Sequence, residues 1–324
     1  MNDVNLHDRF FKGTLGQPDR IGSVLKAFLP SELVDSLDPG SLVHLATESV
    51  GEGLDVSLRD MVFSARFGEK EVRIHLLVEH KSYPDPWVHV QVLHYLSGLW
   101  VRDRKEGRNP VPLLPVVFYH GKQMWSLPSR ISEVVKPPPE LWELNPDFVL
   151  PVIDLHRIED EELRRRFDDV ESVLALLALK HIFDGIAECA RLLLREIQER
   201  KSAYGILKPE INYLGGVHGI HGATEMREIL DPIMREVGMA ESIVDTWIEQ
   251  GIEQGMQQGI QQGIQQGIQQ GIQQGVQQGI QQEKEKSVQR LLRRGEFSLD
   301  QIASLADVDL SRVREIAERL GQGA

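Results

Sequence analysis

One cysteine, Cys189, stands in a chain of 324 residues, so no disulfide framework is available to hold the fold together. Cys189 falls in a helical stretch and reads as a buried apolar thiol. Long apolar runs are missing too. Residues 111–119, among the longest, fall well short of the roughly 20 residues that a membrane helix needs. The first eight residues are polar and acidic, without the apolar core of a secretory leader. A reduced cytoplasm and no membrane are therefore expected. Positive charge is scarce: 36 Lys and Arg against 49 Asp and Glu leave a net charge of −13. That balance argues against a protein that coats nucleic acid non-specifically, because such binding rests on many Lys and Arg contacts to phosphate. The length suggests about two domains.

What is present is concentrated in residues 58–95. In 59–67, Met61, Phe63, Ala65 and Phe67 share one parity, while Asp60, Ser64 and Arg66 share the other. This is the period-2 pattern of a half-buried strand. Gly68-Glu69-Lys70 breaks it, and the alternation resumes with Val72, Ile74, Leu76 and Val78 on one face. Arg73, His75, Leu77, Glu79 and Lys81 take the other. With Glu69 and Lys70 as the two turn residues, Gly68 faces Glu71, and counting outward brings Asp60 opposite Glu79. Directly opposed side chains lie about 5 Å apart at Cβ. Two like charges at that range cost on the order of 3 kcal/mol at an effective dielectric near 20. A divalent cation between them would offset the repulsion, and Lys81 adds a positive charge at its rim. The register is the weak point, since one slip separates the two acids and no Asn-Gly or Asp-Gly pair pins the turn.

A helix follows. Asp85 can cap it and Pro86 suits its first position. Val88, Val92, Tyr95, Leu96 and Leu99 form its apolar stripe, and Gln91 and Tyr95, four residues apart, aim an amide and a phenol at the sheet.

Asp60, then Glu79-His80-Lys81, then Gln91 to Tyr95 resembles the PD-(D/E)xK nuclease core with the Q-x-x-x-Y helix of its RecB-like branch. Flanking text narrows the resemblance. Leu6-His7-Asp8-Arg9-Phe10-Phe11-Lys12, Phe28-Leu29-Pro30, Leu77 to Ser82, Pro115 to Gly121 and Trp125 are similar to the recombination-promoting nuclease (Rpn, YhgA-like transposase) family over nearly the whole chain. Many members of that family carry Gln where this chain has Lys81, whereas Lys is usual in the superfamily. The resemblance implies a restriction-endonuclease-like α/β fold, a mixed central sheet flanked by helices. It also implies metal-dependent cleavage of DNA that promotes recombination. On this reading Asp60 and Glu79 hold Mg²⁺ (or Mn²⁺ or Ca²⁺), with the backbone carbonyl of His80 completing the shell. Lys81 orients the nucleophile, Gln91 positions Lys81 or the water, and Tyr95 packs or touches a backbone phosphate.

The remaining chain divides as 1–155 nuclease core, 156–246 helical subdomain, 247–286 repeat arm and 287–324 helix-turn-helix-like tail. Residues 4–29 read as helical with a loop at 16–19, and residues 42–47 as a strand followed by a flexible approach to the hairpin. Lys12 is a candidate phosphate contact in a locally basic stretch with Arg9, Arg20 and Lys26, against the plainer reading of solvated charges. Asp8 matches the accessory acid that this superfamily often carries on its first helix, against an N-cap role. Residues 102–108 read as a charged loop and residues 111–119 as a buried strand. Glycines in 215–222 read as a flexible loop, so His218 and His221 are weak metal candidates.

From 248 to 280 an apolar residue recurs every fourth position, preceded by Gly from Gly251 onward, with mostly Gln between. On a straight helix this stripe advances about 40° per repeat. Gly spaced by four permits close helix approach. The arm reads as a helix that makes a homo-oligomer, against a flexible tether. In the tail, three short helices would present Arg312, Arg314 and Arg319 to DNA. Glu315 and Glu318 interrupt that face, and a protein-docking unit is the competing reading. For the whole chain the principal alternative to an endonuclease is an inactive nuclease-fold scaffold that acts by binding or oligomerising. A complete transposase is a weaker third, since nothing specifies end recognition.

Overall fold

The computed structural model describes residues 6–45, 61–68, 72–236 and 241–320. It is a mixed α/β protein, and the chain divides into two units, Val4–Gln258 and one that contains Gly259–Ala324.

In the first unit, helix α1 (Leu6–Leu15) buries Phe10, Phe11, Thr14 and Leu15 along one side. Pro18 opens α2 (Pro18–Phe28), which buries Ile21, Val24 and Leu25. A single turn, α3 (Ser31–Val34), leads into β1 (Leu37–His44). This strand starts five residues earlier than the 42–47 expected, across Pro39, which it tolerates as an edge strand. Then come β2 (Met61–Phe67) and β3 (Val72–Lys81).

The pairing of β2 with β3 is antiparallel and runs from Phe67↔Val72 to Met61↔Val78 without a slip. Helix α4 (Val88–Lys105) crosses over to β4 (Leu113–Tyr119), which pairs parallel to β3, and β5 (Val152–Asp154) pairs parallel to β4. The sheet order is β1-β2-β3-β4-β5. A parallel neighbour requires such a crossover, because a hairpin cannot return the chain in the same direction.

Alternation along the strands makes two cores. Met61, Phe63, Ala65, Val78, Val116 and Phe118 pack with α1 and α2 on one face. Val62, Val117 and Tyr119 pack with Val88, Val92, Leu96 and Leu99 of α4 on the other. A short helix, α5 (Ile131–Val135), lies between β4 and β5, and α6 (Asp160–Arg166), α7 (Val170–His181) and α8 (Ile186–Glu199) follow β5. Residues 173–179 of α7 are all fully buried, as befits a helix that is apolar all round.

Three local expectations are corrected. Residues 102–105 continue α4 rather than forming a loop, and Asp103 is fully buried, paired with Arg108 at 2.8 Å. Residues 215–222 lie inside α9 (Lys208–Glu236), not in a loop. The helix kinks at Gly219, whose φ of 63° only a glycine adopts readily. Gly215 and Gly216 are spent on close packing against α10 (Glu241–Arg294), where added Cβ atoms would meet backbone at 3.1 Å. Finally, Asp8 does not cap α1: it lies in the first turn and pairs with Lys12 at 2.8 Å.

The repeat falls within α10. In the second unit Ile260, Ile264, Ile268, Ile272, Val276 and Ile280 are each more than half exposed. Val288 and Leu292 of α10 pack with α11 (Leu299–Ala306) and α12 (Leu310–Arg319) in a small core of their own. Ser298 and Gln301 form a reciprocal capping box that starts α11.

Candidate active site

The strand register aligns Lys81 with Tyr119 and Tyr119 with Asp154, so three polar residues end the three parallel strands in one row. Open α/β sheets bind their ligands at this carboxyl edge. Lys81 belongs to the parity that faces α4, and the residue is 8% exposed. Its Nζ donates to Gln91 Oε1 at 2.7 Å and to Asp85 Oδ2 at 3.3 Å. Gln91 Nε2 in turn donates to the Tyr95 hydroxyl at 2.8 Å. Spacing by four on α4 makes this possible, since one helical row carries both side chains. Because the Gln91 oxygen is committed to the ammonium, its nitrogen must face the phenol, and the relay fixes the amide orientation. Lys81, Gln91 and Tyr95, singled out in the sequence, are thus in one hydrogen-bonded chain.

Asp85 has a different role from the one expected. The helix starts at Val88 with Trp87 at its N-cap position. Asp85 instead folds the preceding turn: its Oδ1 accepts the Trp87 backbone N–H at 3.0 Å while Oδ2 faces Lys81. The available signal was the i,i+4 spacing of Lys81 and Asp85 within a Pro-Asp-Pro turn that cannot continue a helix.

Asp60 lies outside the described residues. Position 79 lies on β3 opposite Val117 of β4, and the Glu79 side chain is likewise outside what the structure describes. Among the described residues no group of three or more His, Cys, Asp or Glu could hold a metal ion.

The other side of β3 is a buried aromatic layer. The His80 ring stacks on Phe11 at 4.6 Å and on His120 at 4.9 Å. Burial, then the neighbouring His120 and His7 and the cations Lys12 and Lys81, push the imidazole of His80 well below its ordinary value. His120 is lowered to about 3 by burial and by His7, and its Nδ1 bonds the Leu179 carbonyl at 2.9 Å. His7 is lowered to about 4 by burial and by His218, and its Nδ1 meets the Tyr213 hydroxyl at 2.5 Å. These imidazoles are neutral near pH 7 and serve as packing. The His120 backbone N–H donates to the Lys81 carbonyl at 3.1 Å, so the layer anchors the backbone at the end of β3. His80 can offer a site on the α4 side only through its main chain.

The remaining candidates are dispersed. Lys12, on α1, is engaged by Asp8, whose Oδ1 also lies 3.9 Å from His80 Nδ1. In the second unit Arg312 pairs with Glu285 and Glu315, while Arg314 is exposed. His218 is spent on the Ile182 carbonyl at 3.2 Å.

A mixed sheet with a buried lysine fixed at its carboxyl edge by a helix-borne Gln and Tyr defines an α/β protein with a constructed polar site at that edge. The family described as "Putative transposase, YhgA-like" matches residues 5–204, and the chain belongs to that family. It is 28% identical over 162 residues to recombination-promoting nuclease RpnD of Escherichia coli O157:H7, covering 48% of this chain and 61% of that protein. To recombination-promoting nuclease RpnC of Escherichia coli strain K12 it is 28% identical over 118 residues, 36% of this chain and 39% of the relative. The aligned part therefore spans roughly two fifths to three fifths of these relatives' length. No solved structure matches. No helix among the described residues is long and apolar enough to cross a membrane.

Proposed function

We propose that the chain is a metal-dependent DNA endonuclease with a restriction-endonuclease-like core, working at the carboxyl edge of β3. The observation that carries this is the Lys81–Gln91–Tyr95 relay. A buried ammonium is costly unless paired and hydrogen-bonded, and here an amide and a carboxylate accept from one while a phenol holds the amide. The names of the relatives, recombination-promoting nucleases, support the same reading.

The ladder of β2 and β3 ends among the described residues at Met61↔Val78, and continuing the same count would put Asp60 opposite Glu79. With the His80 carbonyl this donor set is all oxygen, the chemistry that Mg²⁺ or Mn²⁺ prefers. A bound divalent ion would supply Lewis-acid polarisation of the phosphoryl oxygen and a more acidic attacking water.

The chain's own residues do the rest. Lys81 places its ammonium beside the position of the phosphate, where negative charge grows in the transition state. Gln91 and Asp85 hold that ammonium in place before substrate arrives, so no reorganisation is needed during reaction. Tyr95 locks the amide of Gln91. The expected domain division, with a nuclease core in 1–155 and a tail from 287, remains part of this proposal.

The assembly partner is a second copy through 248–280. Its start packs on α9, but the exposed series from Ile260 to Ile280 and the lack of charge between Glu253 and Glu283 favour helix association. The same surface favours the second reading, a catalytically silent scaffold that binds or oligomerises.

Plasmid nicking with Mg²⁺ by the purified chain and by Asp60→Ala separates the two. The endonuclease reading expects nicking that the variant loses, and equal activity in both would end it.

A further inference from the structure

The turn between Lys81 and α4 carries two large aromatic side chains in solvent, Tyr83 at 60% and Trp87 at 71% exposure. Isolated surface apolar residues need no explanation, but Trp87 is not isolated from the chemistry. One carboxylate joins it to the site. Asp85 Oδ1 accepts the Trp87 backbone N–H at 3.0 Å while Oδ2 meets the Lys81 ammonium at 3.3 Å. Trp87 also precedes Gln91 by four residues, so it heads the row in which Gln91 reaches Lys81 and Tyr95 holds Gln91. The indole therefore stands at the solvent end of the side-chain row that builds the site.

The solvent face of α4 continues from there through Val90, His94, Ser97, Val101 and Arg104, all exposed, at alternating spacings of three and four. Lys105 follows, so the stripe ends in cations. That face carries two rings, Trp87 and His94, set apart by Val90, then Ser97 and Val101, and it closes on Arg104 and Lys105. Exposed rings that lead to a positive end suit a polyanion with flat apolar faces.

We infer that Trp87, assisted by Tyr83, stacks on a nucleobase that has left the helix beside the scissile phosphate. The enzyme is thereby directed to DNA with an unpaired base at the cut. This rests on the nuclease reading given above. Stacking on an aromatic side chain is tolerant of base identity, because every base has a π-face, and it is unavailable in an intact duplex. The inference thus predicts selectivity for DNA structure without selectivity for sequence. Trp87 is a positioning group here, while Lys81 remains the group at the phosphate.

The test uses the full chain with fluorescein-labelled DNA and EDTA, so binding is read without cleavage. Three probes share a sequence: a perfect hairpin duplex, the same hairpin with one bulged base, and the single strand. Fluorescence anisotropy is expected to show tighter binding to the bulged and single-stranded probes than to the duplex. Trp87→Ala should weaken those two by roughly 5- to 100-fold and change duplex affinity less than about twofold, while Trp87→Phe retains most of the preference. The ring is in solvent, so an unchanged circular dichroism melt serves as the folding control.

Equal losses on all three probes, or no loss, would overturn the inference, as would wild-type binding that ignores the bulge. Cleavage of the same probes in Mg²⁺ forms a separate arm. Probe-selective binding without cleavage would retire the nuclease reading and keep the base-stacking role. Cleavage that Trp87→Ala leaves equally selective would do the reverse.

Discussion

Gly251→Ala and Gly267→Ala make the same chemical change in the same sequence repeat, and they are expected to move stability in opposite directions. Around Gly267 an added Cβ meets nothing within 4 Å. The substitution there gains only the helix-propensity difference, about 0.5–1 kcal/mol. At Gly251 the added Cβ would lie 2.3 Å from the Asn212 carbonyl oxygen and 3.0 Å from the Gly216 nitrogen. Both are backbone atoms of α9, which no rotamer change can move. Relief of the contact requires the two helices to part by on the order of 1 Å, since carbon contacts settle near 3.5–4 Å. Overpacking of that kind costs about 1–3 kcal/mol. Set against the propensity gain, the net effect of Gly251→Ala is a loss of up to roughly 2 kcal/mol.

Gly255, whose Cβ would stand 2.5 Å from the Gly216 carbonyl oxygen, should behave like Gly251. The double variant should fall short of the sum, because both changes strain one crossing. Urea unfolding followed by circular dichroism reads these differences. At concentrations low enough to keep the chain monomeric, the account predicts a lower midpoint for Gly251→Ala and a higher one for Gly267→Ala. Equal stabilisation by both would refute the close α9–α10 crossing. A loss at Gly267 would show that another helix covers it.

Two further outcomes follow from the side-chain networks. Gln91→Leu removes the nearer of the two acceptors described for the Lys81 ammonium and the donor to Tyr95. It should lower kcat for nicking by on the order of 100-fold with KM nearly unchanged, whereas Gln91→Glu, which keeps an acceptor, should retain more; a KM effect alone would contradict the positioning role. His181 ends α7 with Nδ1 2.7 Å from Asp184 and Nε2 3.0 Å from Asp160, which also binds Lys180 at 2.6 Å. Burial lowers its pKa, but the two carboxylates outweigh this and raise it above 6.5 in the folded chain. Its contribution to stability is therefore full below the unfolded value and is lost as pH rises through the raised folded value. His181→Ala should cost more in urea unfolding at acidic pH, near 6, than at pH 9. An equal cost at both pH values would remove the charged pairing.

The physical reasons for what was legible differ from element to element. Period-2 alternation in Met61 to Phe67 and from Val72 on made β2 and β3 readable, because a slip inverts every side chain; the half-buried strand expected of β2 is instead buried on both faces over 61–65, where α4 covers the second side. The i,i+4 pair Gln91 and Tyr95 was readable because α4 is strongly punctuated before it. Asp85 was misread since a capping residue and a turn-building residue share the same chemistry. What decides between them is the three-dimensional position of Lys81.

The glycines of 215–222 were misread for a related reason. Glycine signals a loop in isolation, but here Gly215 and Gly216 mark where α10 presses on α9, a contact between segments more than 30 residues apart. The imidazole layer behind β3 left no signal, because His7, His80 and His120 are distant in sequence and only the sheet stacks them.

Diffraction from a crystal soaked in Mn²⁺, collected for its anomalous signal, tests the central claim most directly. The account predicts a single peak within about 2.5 Å of a carboxylate oxygen from both Asp60 and Glu79, with the Lys81 ammonium at its edge and still bonded to Gln91. Those two carboxylates on opposite faces of the sheet, or manganese bound only elsewhere, would contradict it.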